Sequence, residues 1–133
     1  LNYAFDPRQT NYYTDAARYL GLIDKYRESG QVFFSLTKKG ESILHYRYKT
    51  RQLKFVEAIL KHRAFAETLK LYLQHSEMPS RNEVVNIMMR SNLYNVKSDD
   101  TFERRASTIT GWITTLIYCL ICVNLLSRLS KYK

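Results

Sequence analysis

The chain has 133 residues, of which 45% are hydrophobic and 25% charged, a balance that is normal for a globular protein, so we do not expect a disordered chain. The formal net charge is +9 and the isoelectric point about 9.6, which favours a polyanionic partner such as nucleic acid. Two cysteines cannot make a disulfide framework, so we expect a reducing, cytoplasmic location. The most apolar run, residues 116–126, is too short to span a bilayer and is interrupted by Asn124, so no membrane partner is predicted.

The first residues predict a helix whose two ends are both marked. Residues 1–5 are apolar and aromatic and suit one edge strand. Asp6 and Pro7 suit the N-cap and the first position of a helix, which Gly21 then ends. Its predicted buried stripe consists of Tyr13, Ala16, Ala17 and Leu20.

A hairpin and a second helix are predicted next. Residues 22–25 and 31–36 suit two strands joined by a polar turn at residues 27–30, and Thr37 caps a helix over residues 38–49. This order resembles the last part of a winged helix, in which the hairpin is the wing. The helix before a wing enters the major groove, so its leading residues are candidate DNA contacts, as are two lysines at the foot of the wing. These residues are Arg8, Gln9, Asn11, Tyr12, Lys38 and Lys39. The alternative is a capped helix packed on a hairpin without any ligand.

The chain is predicted to be helical from Thr50 onward. One helix covers residues 51–62, the next ends near His75, and a third runs from a capping box at Ser80 and Glu83 through Met89. Residues 91–99 suit a polar loop, residues 119–123 a strand, and residues 127–133 a loose basic tail. The predicted buried faces of the three helices contain Leu53, Phe55, Val56, Ile59, Leu60, Phe65, Leu69, Tyr72, Leu73, Val84, Val85, Ile87 and Met88.

The helix over residues 101–120 is the strongest candidate for reading DNA. Asp100 and Glu103 suit a capping box at its start. One face is apolar, with Phe102, Ala106, Ile109, Ile113, Leu116, Ile117 and Leu120 at helical spacing. The other face offers groups that contact phosphates and base edges, namely Arg104, Arg105, Ser107, Thr108 and Trp112. An ordinary surface helix with solvated arginines is the alternative, and burial of Trp112 against a neighbouring unit is as plausible as DNA contact.

These elements predict a mainly α fold with one or two small β-hairpin wings. Residues 1–49 form a partial winged-helix unit, and residues 50–133 a second unit of helix-turn-helix or winged-helix type. Residues 51–133 hold 13 basic and 7 acidic side chains, so six of the nine excess charges (13 − 7 = 6) fall in the second unit.

No catalytic or metal-binding pattern is visible in the chain. A restriction-type nuclease site needs a Glu-x-Lys pair and an aspartate around Mg²⁺, and no Glu-x-Lys occurs. Cys119 and Cys122 have C-x-x-C spacing but are interpreted as small buried hydrophobes. Tyr12, Tyr46, Tyr48 and Tyr94 are candidates for stacking or phosphate contact, whereas Tyr13, Tyr19 and Tyr72 are predicted core residues.

Three stretches resemble winged-helix modules of bacterial type II restriction endonucleases and related restriction-system proteins. They are Arg8-Gln9-x-x-Tyr12-Tyr13 with Ala17-x-Tyr19-Leu20-Gly21-Leu22, then Leu36-Thr37-x-x-Gly40, and Arg104-Arg105-Ala106-Ser107-Thr108-x-x-x-Trp112-Ile113. The resemblance implies a non-catalytic target-recognition module for double-stranded DNA. A fused or partner nuclease domain would then cleave the DNA and hold any Mg²⁺.

Two other functions are kept as alternatives. A transcription regulator of a restriction system would need a dimer and a palindromic site, so the oligomeric state distinguishes it from the target-recognition module of an endonuclease. Because the sequence begins at Leu1 rather than at a methionine, we expect it in either case to be part of a longer polypeptide. A winged-helix adaptor would instead dock a protein partner through the apolar run of residues 116–126.

Overall fold

A computed structural model describes residues 6–91 and 99–130, with side chains of the second range described from Thr101 to Asn124. Within these ranges the fold is mainly α-helical with one antiparallel hairpin, as predicted. The chain divides into two compact units, Leu1–Lys54 and Phe55–Lys133, and the division falls inside a helix rather than after residue 49. The predicted strand at residues 1–5, most of the predicted loop at residues 91–99, and Tyr94 lie outside the described residues.

The first unit contains the predicted helix, hairpin and second helix. Helix α1 (Pro7–Tyr19) starts as predicted, because the Asp6 carboxylate accepts a hydrogen bond of 2.9 Å from the Arg8 backbone N–H. It ends before Gly21, where Leu20 is the C-cap. The unit continues with β1 (Ile23–Glu28), β2 (Gln31–Leu36) and α2 (Lys38–His45), and α3 (Tyr48–Leu60) crosses into the second unit.

The hairpin is longer and its turn tighter than predicted. Strand β1 continues to Glu28, which pairs with Gln31 across a two-residue turn. Ser29 and Gly30 both have positive φ, of 50° and 80°. Positive φ at both central residues belongs to a primed turn, whose twist matches that of the flanking strands. The predicted four-residue turn at residues 27–30 is therefore wrong.

The single helix predicted over residues 38–49 is two helices. Thr37 caps α2 as predicted, since its hydroxyl accepts the Gly40 N–H at 3.0 Å. The helix stops at His45 because Tyr46 has extended backbone angles (φ −71°, ψ 150°). Helix α3 then starts afresh, with the Arg51 N–H donating to the Arg47 carbonyl at 2.9 Å.

The second unit is built from helices around one core. Its further helices are α4 (Arg63–His75), α5 (Arg81–Arg90) and α6 (Asp99–Ser130). The capping box at Ser80 and Glu83 is confirmed. The most deeply buried side chains come from α4, α5 and α6, which pack against one another, namely Thr68, Val84, Ile87, Met88 and Ile113.

Helix α6 overturns two predictions about the end of the chain. It runs without a break through residues 119–123, so the predicted strand is wrong. Leu116 and Val123 are both buried and lie seven residues apart, a spacing that keeps them on one side of a helix. The predicted loose tail is also wrong for residues 127–130, which are helical. The helix begins at Asp99, and the predicted Asp100 cap lies outside the described side chains.

Several residues predicted to be buried are exposed. The exposed fractions are 58% for Tyr13, 44% for Tyr19 and 69% for Leu73. Helix α1 has no fully buried residue, because the described part of its unit packs against it mainly through β1. Cys122 is also exposed and Cys119 only partly buried, so their interpretation as two buried hydrophobes is wrong.

Candidate nucleic-acid interface

Helix α6 separates its packed side from its polar side over its first turns. Ala106, Ile109 and Ile113 are 1%, 5% and 0% exposed and belong to the core. Four of the five predicted contacts on the other side are exposed, namely Arg104, Arg105, Ser107 and Thr108, and the fifth, Trp112, is partly buried. Because the apolar side is satisfied by α4 and α5, the polar side is available to a ligand.

Arg81 joins this surface from the first turn of α5. Its Nη2 donates to Ser107 Oγ at 3.3 Å, and its Nη1 lies 4.0 Å from Glu103 Oε2. With Arg104, these three residues line a shallow surface concavity. Two arginines and one glutamate give the concavity a local charge of +1 (2 − 1). An anionic ligand is therefore favoured at this position.

Arg81 is not among the contact residues predicted from the sequence. The capping box places Arg81 at the first position of α5, but it says nothing of which helix lies beside that turn. Contact between α5 and α6 depends on the core packing of Val84, Ile87 and Met88, which the spacing alone does not orient. The useful signal was the location of a basic residue directly after a strong N-cap, where it sits at an exposed helix end.

Hydrogen bonds from Ser80 keep the start of α5 in place. The Ser80 backbone N–H and its hydroxyl each donate to Glu83 Oε2 at 2.8 Å. These bonds favour the ionised carboxylate and lower the pKa of Glu83 from its ordinary value of 4.5. Arg81 is consequently held on a well-capped helix end.

Trp112 lies between the two faces rather than on the polar one. Its ring is partly buried and packs beside the core, with its centroid 5.3 Å from that of Phe65. Thr115 is exposed, but its hydroxyl donates to the Gly111 carbonyl at 3.0 Å. The predicted contacts that are exposed therefore lie in the first turns of α6, from Arg104 to Thr108.

The predicted contacts of the first unit form two groups. Arg8, Gln9, Asn11 and Tyr12 are exposed at the start of α1. Lys39 lies near the other end, where its Nζ donates to the Leu20 carbonyl at 2.7 Å. Leu20 follows Arg8 by twelve residues, or about 18 Å of helix. The fold thus keeps these groups apart, and Lys39 serves first as a cap for α1, while neighbouring Lys38 is exposed.

Among the described side chains, residues 6–91 and 101–124, no group of three or more His, Cys, Asp or Glu could hold a metal ion. Cys119 and Cys122 lie in the interior of α6, away from a helix N-terminus.

Helix α6 also has the length and composition of a membrane span. Over Thr101–Asn124 its hydropathy reaches 1.7, and 28% of this apolar stretch is buried within the protein. Ala106, Ile109 and Ile113 pack in the core of the unit, which accounts for the packed side of the stretch.

The fold defines a mainly α domain of winged-helix-like and helix-turn-helix-like units that presents a basic helix face. A comparison with family models identifies the family. Residues 1–120 match the model described as a domain of unknown function (DUF7226), and the chain belongs to this family. Neither curated proteins nor solved structures gave a match.

Proposed function

We propose that the chain binds double-stranded DNA sequence-specifically, as the cytoplasmic target-recognition part of a restriction endonuclease. The observation that carries the proposal is the exposed row on α6, where Arg104, Ser107 and Thr108 lie opposite a face packed into the core. A helix that reads the major groove needs one side anchored in its domain and the other side polar. The resemblance to restriction-system modules supplies the biological setting.

In this mechanism, the arginines of the second unit divide two tasks between them. Arg81 is tethered to Ser107 and is suited to a phosphate, because its position is fixed by a neighbouring helix. Arg104 and Arg105 are suited to guanine, which accepts two hydrogen bonds in the major groove. Ser107 and Thr108 add short hydroxyl groups that contact bases of either kind.

The first unit would contribute a second contact through the start of α1. Gln9 and Asn11 are exposed amides, which pair with adenine in the major groove. Arg8 and Lys38 are suited to phosphates of the flanking backbone. Cleavage, and any Mg²⁺ that it needs, is assigned to a separate nuclease domain.

The proposal is tested by selecting bound duplexes from a random library and measuring their affinity by fluorescence anisotropy. Replacing Arg105 by alanine should weaken binding to the selected duplex by about 1–3 kcal/mol and relax the base preference at one base pair. Arg63→Ala is the matched control, because Arg63 is exposed on α4 and pairs there with Glu67. Unchanged affinity and selectivity in Arg105→Ala would remove Arg105 from the binding surface, and the same result in Arg104→Ala would remove the exposed row of α6.

A protein-docking adaptor is the second candidate, and the hairpin favours it. Its strands expose large apolar side chains, with exposed fractions of 38% to 46% for Tyr26, Phe33, Phe34 and Leu36. Exposed apolar groups gathered on one element are typical of docking surfaces. No affinity for any duplex at low salt would favour this function over DNA binding.

A further inference from the structure

The most basic stretch of the first unit contains none of the basic residues predicted to contact DNA. Between Glu41 and Glu57 the sequence has no acidic residue, yet it contains Arg47, Lys49, Arg51 and Lys54 among its basic side chains. It covers the end of α2 and the first turns of α3. Neither the winged-helix resemblance nor the exposed face of α6 accounts for this charge.

Three of these cations share one side of a helix. Arg47 immediately precedes α3, and its carbonyl accepts the Arg51 N–H at 2.9 Å, so the helical path includes it. Arg51 and Lys54 follow at four and seven residues, a spacing that returns to the same side. The row is about 10 Å long by helical rise. Such a row is long enough to reach neighbouring phosphates on one strand of a duplex.

The local charge of this row favours an anion. Arg47 is exposed, Arg51 and Lys54 are partly buried, and no ion pair among the described residues involves either guanidinium. The first turn of α3 has no acidic side chain, so the positive end of the helix dipole adds to the potential. Tyr46 and Tyr48 flank Arg47 with exposed fractions of 40% and 62%, and tyrosine hydroxyls are common phosphate donors.

We propose that Arg47, Arg51 and Lys54 form a phosphate-binding ridge, which grips one strand of duplex DNA without reading its sequence. The inference rests on the proposed DNA-binding function and adds to it a separate source of affinity. DNA is favoured over an anionic membrane because a membrane-surface helix must turn its apolar side to lipid. On α3 that side is occupied, since Val56 is 6% exposed and Ile59 and Leu60 pack against the same core.

The test compares two double variants of the full chain. Arg47→Gln with Arg51→Gln removes two charges from the ridge, and Lys61→Gln with Lys70→Gln removes two exposed charges elsewhere. Anisotropy is measured on a selected duplex and on a scrambled one, from about 0.05 to about 0.2 M salt. Far-UV circular dichroism confirms that both variants are folded.

The ridge variant should lower the slope of log affinity against log salt by about 1.8, since each lost phosphate contact contributes about 0.9. At 0.15 M salt this corresponds to a loss on the order of 30-fold, equal for both duplexes. An unchanged slope, an equal loss in the control, or a loss confined to the selected duplex would overturn the ridge. If the wild-type chain binds neither duplex at the lowest salt, the proposed function itself fails.

A vesicle-binding measurement distinguishes DNA from an anionic membrane as the partner of the ridge. Binding to vesicles of phosphatidylcholine and phosphatidylserine is measured by co-sedimentation for the wild-type chain and the ridge variant. We expect the ridge substitutions to leave vesicle binding unchanged. A ridge variant that loses vesicle binding while keeping its duplex affinity would replace DNA with a membrane surface as the partner.

Discussion

Replacing Gly40 by alanine should destabilise the first unit, because a methyl group at this position has no space. A Cβ built on Gly40 overlaps the Leu22 carbonyl oxygen and comes within 3.1 Å of its carbon and 3.3 Å of Leu36 Cδ2. Leu22 follows α1 and Leu36 ends β2, so Gly40 lies where α2 crosses both neighbours. The Leu22 carbonyl also accepts the Thr37 N–H at 3.0 Å, a bond at the start of α2.

The expected loss of stability in Gly40→Ala follows from how far the two backbones must separate. An ordinary carbon–oxygen contact is about 3.3 Å, so the two backbones must separate by on the order of 1 Å. Strain from such overpacking costs about 1–3 kcal/mol. Weakening the bond from Thr37 to Leu22 adds about 1 kcal/mol. The higher helix propensity of alanine offsets up to about 1 kcal/mol, which leaves a net loss of about 2 kcal/mol.

Gly111 provides the matched control for this substitution. It lies within α6, and a Cβ built there meets nothing within 4 Å. Gly111→Ala should therefore raise stability by about 0.5–1 kcal/mol through helix propensity alone. Urea unfolding followed by far-UV circular dichroism measures both variants. Wild-type stability in Gly40→Ala, or an equal loss of stability in Gly111→Ala, would refute the close approach of α2 to Leu22.

Two further outcomes follow from the second unit. Ile113→Ala should cost about 2–5 kcal/mol, because Ile113 is 0% exposed, and the fluorescence of the single tryptophan, Trp112, should show the earlier unfolding. An unshifted urea midpoint would contradict the core assignment. The pKa of Glu83 is lowered in the folded state, so its contribution is present above its ordinary value of 4.5 and is lost as pH falls through the folded value. Glu83→Gln should therefore show a stability deficit at neutral pH that shrinks in acid, as measured by urea unfolding at several pH values.

Elements with a local signature were predictable from the sequence. The Asp6 cap, the Thr37 cap and the capping box at Ser80 and Glu83 are all made by neighbours two or three residues apart. Strand β2 was also predicted over its full range. In each case the side chains that define the element are close in the chain, so the local sequence is enough to predict the element.

Predictions failed where the deciding contact is distant or the local signal is weak. The break between α2 and α3 at Tyr46 involves neither proline nor glycine, so the sequence offers no reason to stop the helix there. The strand predicted at residues 119–123 came from β-branched and apolar residues that here extend a helix. Arg81 reaches the candidate site only because α5 packs on α6, and Lys39 is taken up by a carbonyl 19 residues away.

The position of the unit boundary changes how the positive charge is interpreted. With a boundary after residue 49, most of the excess falls in the second half, which makes α6 the natural focus. The structural division after Lys54 assigns Arg51 and Lys54 to the first unit, which then holds 10 basic and 5 acidic residues against 11 and 7 in the second. The net charges are thus +5 and +4 (10 − 5 and 11 − 7). The second unit, which contains α6, holds less than half of the net positive charge of the chain. For this reason we assign part of the DNA affinity to the first unit.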